Sequence, residues 1–86
     1  MDAVLLDVIA KSIRSVSKRT ETRVIAPTTT LVDDLALDSL DLVAVLMKLE
    51  DHFGISIELD EVGSIQTVEN LGDHLTALRA VDASAA

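Results

Sequence analysis

The chain has 86 residues, 49% of them apolar, with no cysteine and a single aromatic side chain, Phe53. One domain with an aliphatic core fits this composition; a disulfide scaffold, a thiol nucleophile and a cysteine-ligated metal do not. Fifteen acids against seven bases leave a net charge of −8, which argues against nucleic-acid and membrane-surface roles because phosphate backbones and anionic lipid would repel it.

The longest uninterrupted apolar run, Leu42 to Met47, is six residues, whereas a membrane span needs about twenty. The start Met1-Asp2-Ala3 lacks the basic and apolar regions of a signal peptide. The expectation is a soluble, cytoplasmic, monomeric protein: one stand-alone domain over 1–86, with a core at about 3–80 and a flexible tail at 81–86.

In chain order, Val4, Leu5, Val8, Ile9, Ile13 and Val16 recur at helical spacing, with Lys11, Arg14 and Lys18 off that stripe. The spacing predicts an amphipathic helix over about residues 3–18. A long connection follows, from about Arg19 to Asp38, and contains the chain's one proline, Pro27. Loops of that length in compact domains are commonly functional. This one carries Val24, Ile25, Leu31, Val32, Leu35 and Leu37, side chains able to pin it to the core.

A second helix is predicted from Ser39 to about Phe53. Asp38 is the N-cap, Asp41 completes a short variant of a capping box, and Gly54 supplies the stop. Ile55, Ile57 and Leu59 alternate with Ser56 and Glu58, but a lone strand has no partner, so the segment reads as extended loop. Residues 60–63 suit one short helical turn. Thr67 caps a last helix, about Val68 to Ala80, with Glu69 in its first turn and Val68, Leu71, Leu75 and Leu78 as its buried stripe. The sum is an all-α, small helical bundle with three main helices, a short fourth and a long first loop.

Charge is divided unevenly. Residues 1–30 carry a net +2 and residues 31–86 a net −10, so a protein partner's surface should be basic. The second helix also has two apolar stripes. Leu42, Val45, Leu46, Leu49 and Phe53 make one complete core face. Leu40, Val43, Ala44 and Met47 make another, which is either covered by the bundle or exposed. If exposed, its rim of Asp38, Asp41, Glu50 and Asp51 makes it a docking surface.

Ser39 lies where the long loop meets the second helix. It is either a simple cap or a site for a phosphate-bearing group, since a helix N-terminus offers free N–H groups and a positive dipole end. A hydrolase nucleophile does not fit: Leu37-Asp38-Ser39-Leu40-Asp41 is not Gly-x-Ser-x-Gly, and no base is supplied. His52 and His74, the two histidines, read as solvent-facing or structural. Asp33, Asp34, Asp38 and Asp41 lack the spacing and glycine of an EF-hand, so no dedicated metal site is expected.

The run from Leu31 through Asp33-Asp34-Leu35 and Asp38-Ser39-Leu40-Asp41 to Leu49-Glu50-Asp51-His52-Phe53-Gly54-Ile55 closely resembles the acyl carrier protein family. The opening Thr67-Val68-x-x-Leu71 of the last helix resembles it too, so the likeness spans about residues 3–80. The resemblance implies a four-helix-type carrier bundle, not an enzyme and without catalytic residues. It implies that Ser39 is esterified by 4′-phosphopantetheine from coenzyme A, flanked by Asp38 and Leu40 of the attachment triplet, making a phosphoprotein. The arm's thiol would carry acyl groups as thioesters.

It further implies that Asp38, Leu40, Asp41, Val43, Met47, Glu50 and Asp51 meet basic patches on partners. These would be a phosphopantetheinyl transferase, an acyl-loading ligase or transferase, and ketosynthase, reductase or acyltransferase enzymes of fatty-acid, lipid or polyketide biosynthesis. An aliphatic bundle of this kind could open a slim cavity for the acyl chain. Ala44 and Lys48 depart from the family's acidic recognition helix, and the segment between Gly54 and Thr67 is slightly short. These departures leave a specialised carrier open beside the housekeeping one. An aminoacyl or peptidyl carrier and a non-carrier helical interaction module are the competing functions.

Overall fold

A computed structural model describes the backbone from Met1 to Ala85, and side-chain environments for residues 1–79 apart from Leu59. Three α-helices account for most of it: α1, Ala3–Val16; α2, Ser39–Phe53; and α3, Val68–Ala85. Short 3-10 segments occupy Lys18–Thr20 and Leu59–Ser64. The described residues contain no strand beyond an isolated antiparallel bridge between Thr30 and Thr67. The all-α bundle with one long first loop is the architecture the periodicity predicts.

Each helix begins where a side chain satisfies its free N–H groups. Asp2 accepts from Val4 N at 3.0 Å to start α1. Asp38 Oδ1 accepts from Asp41 N at 2.8 Å and Asp41 Oδ2 from Asp38 N at 3.3 Å, a reciprocal box that starts α2. Thr67 and Asn70 exchange the equivalent pair at 3.1 Å each to start α3. Gly54 ends α2 in the left-handed region, at φ 66°, where a side chain would be strained.

The core is aliphatic. Leu5, Ile9, Ala10 and Ile13 from α1 pack with Val45, Leu46 and Leu49 from α2 and with Val68, Leu71 and Leu75 from α3. Gly72 is also buried and lets α3 approach Met1 and Leu5 at the start of α1. From the long loop come Ile25, Leu31, Leu35 and Leu37, and from the connection after α2 come Ile55, Ile57 and Ile65. Beyond this core, the Arg79 guanidinium sits 4.8 Å from the Phe53 ring centre and ties α3 to the end of α2.

Several expectations need correction. Val4 is exposed rather than part of the α1 stripe, because the buried face turns through Leu5, Ile9 and Ile13. In the loop, Val24 and Val32 face solvent while their neighbours Ile25 and Leu31 turn inward. Helix α1 ends at Val16 instead of residue 18, because the chain tightens into the 3-10 turn that buries Thr20. The short helical turn is wider than predicted, Leu59–Ser64. Of the expected tail, 81–86, residues 81–85 continue α3 past the predicted end at Ala80, and Ala86 lies outside the described residues.

Candidate functional site

The long loop has little regular structure, yet it is fixed along its length. Its carbonyls complete the first turn of α3: Glu69 N donates to Pro27 O at 2.9 Å and Val68 N to Thr29 O at 3.0 Å. Leu31 N donates to Gln66 O at 2.9 Å. Thr30 N donates to Asp34 Oδ2, and Asp34 N to Thr30 Oγ1, each at 2.8 Å. The Thr30 backbone N–H holds the Asp34 carboxyl below its ordinary value of 3.8; the Thr30 hydroxyl and Arg23 add to this against a small desolvation effect.

This scaffold delivers Ser39 as the first residue of α2, exposed at the surface. Asp38 carries the capping role, so the Ser39 side chain is not needed to cap. An anion bonded to its hydroxyl would sit at the positive end of a fifteen-residue helix.

The two stripes of α2 separate at most positions, with Ala44 of the outer stripe half-buried. Val45, Leu46 and Leu49 are 1%, 4% and 0% exposed. Leu40, Val43 and Met47 are 80%, 38% and 59% exposed. Leu42 and Phe53, expected in the core stripe, are half-buried against it. An uncovered apolar strip therefore runs from the serine down the outer face of the helix. Asp38 and Asp51 beside it are exposed, while Asp41 and Glu50 are half-buried. Asp41 is engaged with Asp38 N, and Glu50 Oε2 accepts Ile57 N at 2.9 Å. Asp38, Asp41 and Glu50 among the four rim acids thus also hold the fold; the capping pair was legible in the spacing, and the Glu50 contact was not.

A cleft of about 450 Å³ opens between the loop, α2 and the second 3-10 segment, lined among others by Thr30, Val32, Leu42, Val62 and Ile65. Leu42 is three residues beyond Ser39, about 4.5 Å along the helix axis. Val32, misassigned to the core by its hydropathy, contributes to this wall.

No histidine serves Ser39 from its own helix. His52 is thirteen residues further along α2, about 20 Å along its axis. It packs edge-on against Phe53, with ring centres 4.7 Å apart. The half-buried His74 pairs through Nε2 with Glu61 Oε2 at 2.8 Å and ties the second 3-10 segment to α3. Among the described residues no group of three or more His, Asp or Glu side chains is placed to hold a metal. No described helix is long and apolar enough to cross a membrane.

Comparison with known proteins agrees with this geometry. The family described as "Phosphopantetheine attachment site" matches residues 7–75. The acyl carrier protein of Syntrophobacter fumaroxidans is 36% identical over 80 residues, 93% of each chain. Acyl carrier protein 2, chloroplastic, of Spinacia oleracea is 36% identical over 50 residues, covering 58% of this chain and 38% of the relative. A helical carrier that bears phosphopantetheine, rather than a catalyst, is the class these matches define. The chain belongs to the acyl carrier protein family.

Proposed function

We propose that this protein carries acyl intermediates as thioesters on a phosphopantetheine arm attached to Ser39, and presents them to biosynthetic enzymes through the outer face of α2. The observation that carries this reading is the position of Ser39. It is the exposed first residue of α2, capped independently by Asp38, at the head of an uncovered apolar strip.

In the attachment step Ser39 Oγ bonds to the phosphorus that links pantetheine to the nucleotide in coenzyme A. The bond to the nucleotide breaks, 3′,5′-ADP leaves, and the serine proton passes to the transferase. Once attached, the arm supplies a thiol that this cysteine-free chain lacks. The helix end favours the phosphodiester, by about 0.3–1 kcal/mol.

Leu40, Val43 and Met47 then give a partner enzyme a small apolar contact, and Asp38, Asp41 and Asp51 give charge that speeds encounter without forcing tight binding. Glu50 adds its charge to the same rim while one of its oxygens stays on the backbone. The cleft beside Leu42 offers the acyl chain apolar cover. The cytoplasm is taken as the compartment, and the partners as the transferase, a loading enzyme, and synthases or acyltransferases of fatty-acid, lipid or polyketide biosynthesis. Ala44 and Lys48 on the recognition helix favour a specialised role among these.

The acyl carriers among the relatives support the acyl reading over an aminoacyl or peptidyl one. Family membership favours a carrier over a non-carrier interaction module. The test is covalent. Incubation with coenzyme A, magnesium and a broad-specificity phosphopantetheinyl transferase should add the mass of one phosphopantetheine, and Ser39→Ala should abolish the gain. An unmodified wild-type chain, under conditions that modify another carrier, would overturn the reading.

A further inference from the structure

Three arginines from the end of α1 and the turn after it each donate to a backbone carbonyl, and two of those carbonyls lie just before Ser39. Arg14 Nη2 donates to Arg23 O at 3.2 Å, Arg23 Nη1 to Asp34 O at 3.0 Å, and Arg19 Nη2 to Ala36 O at 3.3 Å.

Ala36 is the one non-glycine residue with positive φ among the described residues, at 55°. A side chain disfavours that region because Cβ crowds the backbone carbonyl, and alanine has no polar group to compensate. The peptide that follows, between Ala36 and Leu37, is held at both ends. Its carbonyl accepts from Arg19, and its N–H donates to Leu31 O at 3.1 Å. Leu35 and Leu37 are buried on either side. Two residues later the chain enters α2 at Ser39.

Arg19 is itself well placed for this. It sits in the 3-10 turn Lys18–Thr20, anchored by the buried Thr20, whose Oγ1 donates to Ser17 O at 2.6 Å. The backbone of Arg19 is therefore fixed while its long, permanently charged side chain reaches the loop.

We infer that Arg19 is a positioning residue for Ser39, clasping the strained Ala36–Leu37 peptide so that Asp38 and Ser39 enter α2 in a single conformation. This rests on the reading of Ser39 as the modified residue. If only the clasped conformation is recognised, loosening it lowers the competent fraction, raises KM for the apo-carrier and leaves kcat unchanged.

The test is a cycle of R19Q, A36G and the double variant, with R19K alongside. Transferase kinetics and amide exchange at residues 37–40 are read in each, and far-ultraviolet circular dichroism confirms the helices. R19Q should speed amide exchange at 37–40 about three- to tenfold, the range set by losing one hydrogen bond, and raise KM by no more than that factor. R19K, which keeps a charged donor on a long side chain, should restore part of both. In the A36G background R19Q should change either quantity less than twofold, because glycine adopts the left-handed region unaided. An equal R19Q penalty in both backgrounds, or unchanged exchange at 37–40, would overturn the inference. Should the wild-type chain accept no phosphopantetheine, the Ser39 reading fails and the exchange cycle alone decides for or against the clasp.

Discussion

Glu50 Oε2 accepts the backbone N–H of Ile57 at 2.9 Å, so an acid at the rim of the outer face of α2 is turned back onto its own chain. The bond spans the stop at Gly54 and holds the extended segment whose Ile55 and Ile57 enter the core. E50A should therefore lower stability to urea by about 1 kcal/mol and accelerate exchange of the Ile57 amide. E50Q, which keeps an acceptor, should fall between. An Ile57 amide indifferent to both substitutions would show that the contact contributes nothing.

The two stripes of α2 predict opposite phenotypes from chemically identical changes. Leu49 is fully buried, and L49A should cost about 2–5 kcal/mol in urea unfolding. Leu40 is 80% exposed, so L40A should change stability by less than about 0.5 kcal/mol while weakening productive contact with a partner enzyme. Partner turnover unaffected by L40A would remove the outer strip from the docking account.

Capping and modification are assigned to adjacent residues, and they should separate. D38A removes the side chain that accepts from Asp41 N and should destabilise the protein by about 1 kcal/mol. S39A removes no such bond and should leave thermal stability near that of the apo wild type. Equal destabilisation by the two would make Ser39 part of the cap.

Asp34 sets one limb of the acid response. Its folded-state pKa lies below 3.8, chiefly through the Thr30 backbone N–H and then the Thr30 hydroxyl. A depressed carboxyl pKa stabilises the fold above the unfolded value, and that contribution is lost as pH falls through the lower folded value. The stability difference between wild type and D34N should be constant above about pH 5 and shrink below the ordinary value of 3.8. Because the carboxylate is exposed, added salt should reduce the Arg23 part of the effect. A difference that grows on acidification would contradict this sign.

Much of this was legible in the residues themselves. Period-3.6 spacing located the helices, and Asp38, Asp41 and Gly54 marked the ends of α2 because caps are read from side-chain chemistry over a few residues. The double stripe on α2 is likewise local. The loop was harder: in an irregular segment no period tells which side chain turns inward, so Val24 and Val32 could not be separated from Ile25 and Leu31. Contacts between distant positions were invisible. Arg19 reaches a carbonyl seventeen residues away, and His74 meets Glu61 only because the second 3-10 segment docks on α3. Glu50 was legible as an acid at the rim but not as one bent back to Ile57.

The most direct test of the central claim is fragment mass spectrometry of the protein after treatment with coenzyme A and a phosphopantetheinyl transferase. The account predicts one phosphopantetheine per chain, found on the fragment containing Ser39 and on no other. An arm on a different serine, or a chain that stays unmodified, would contradict it.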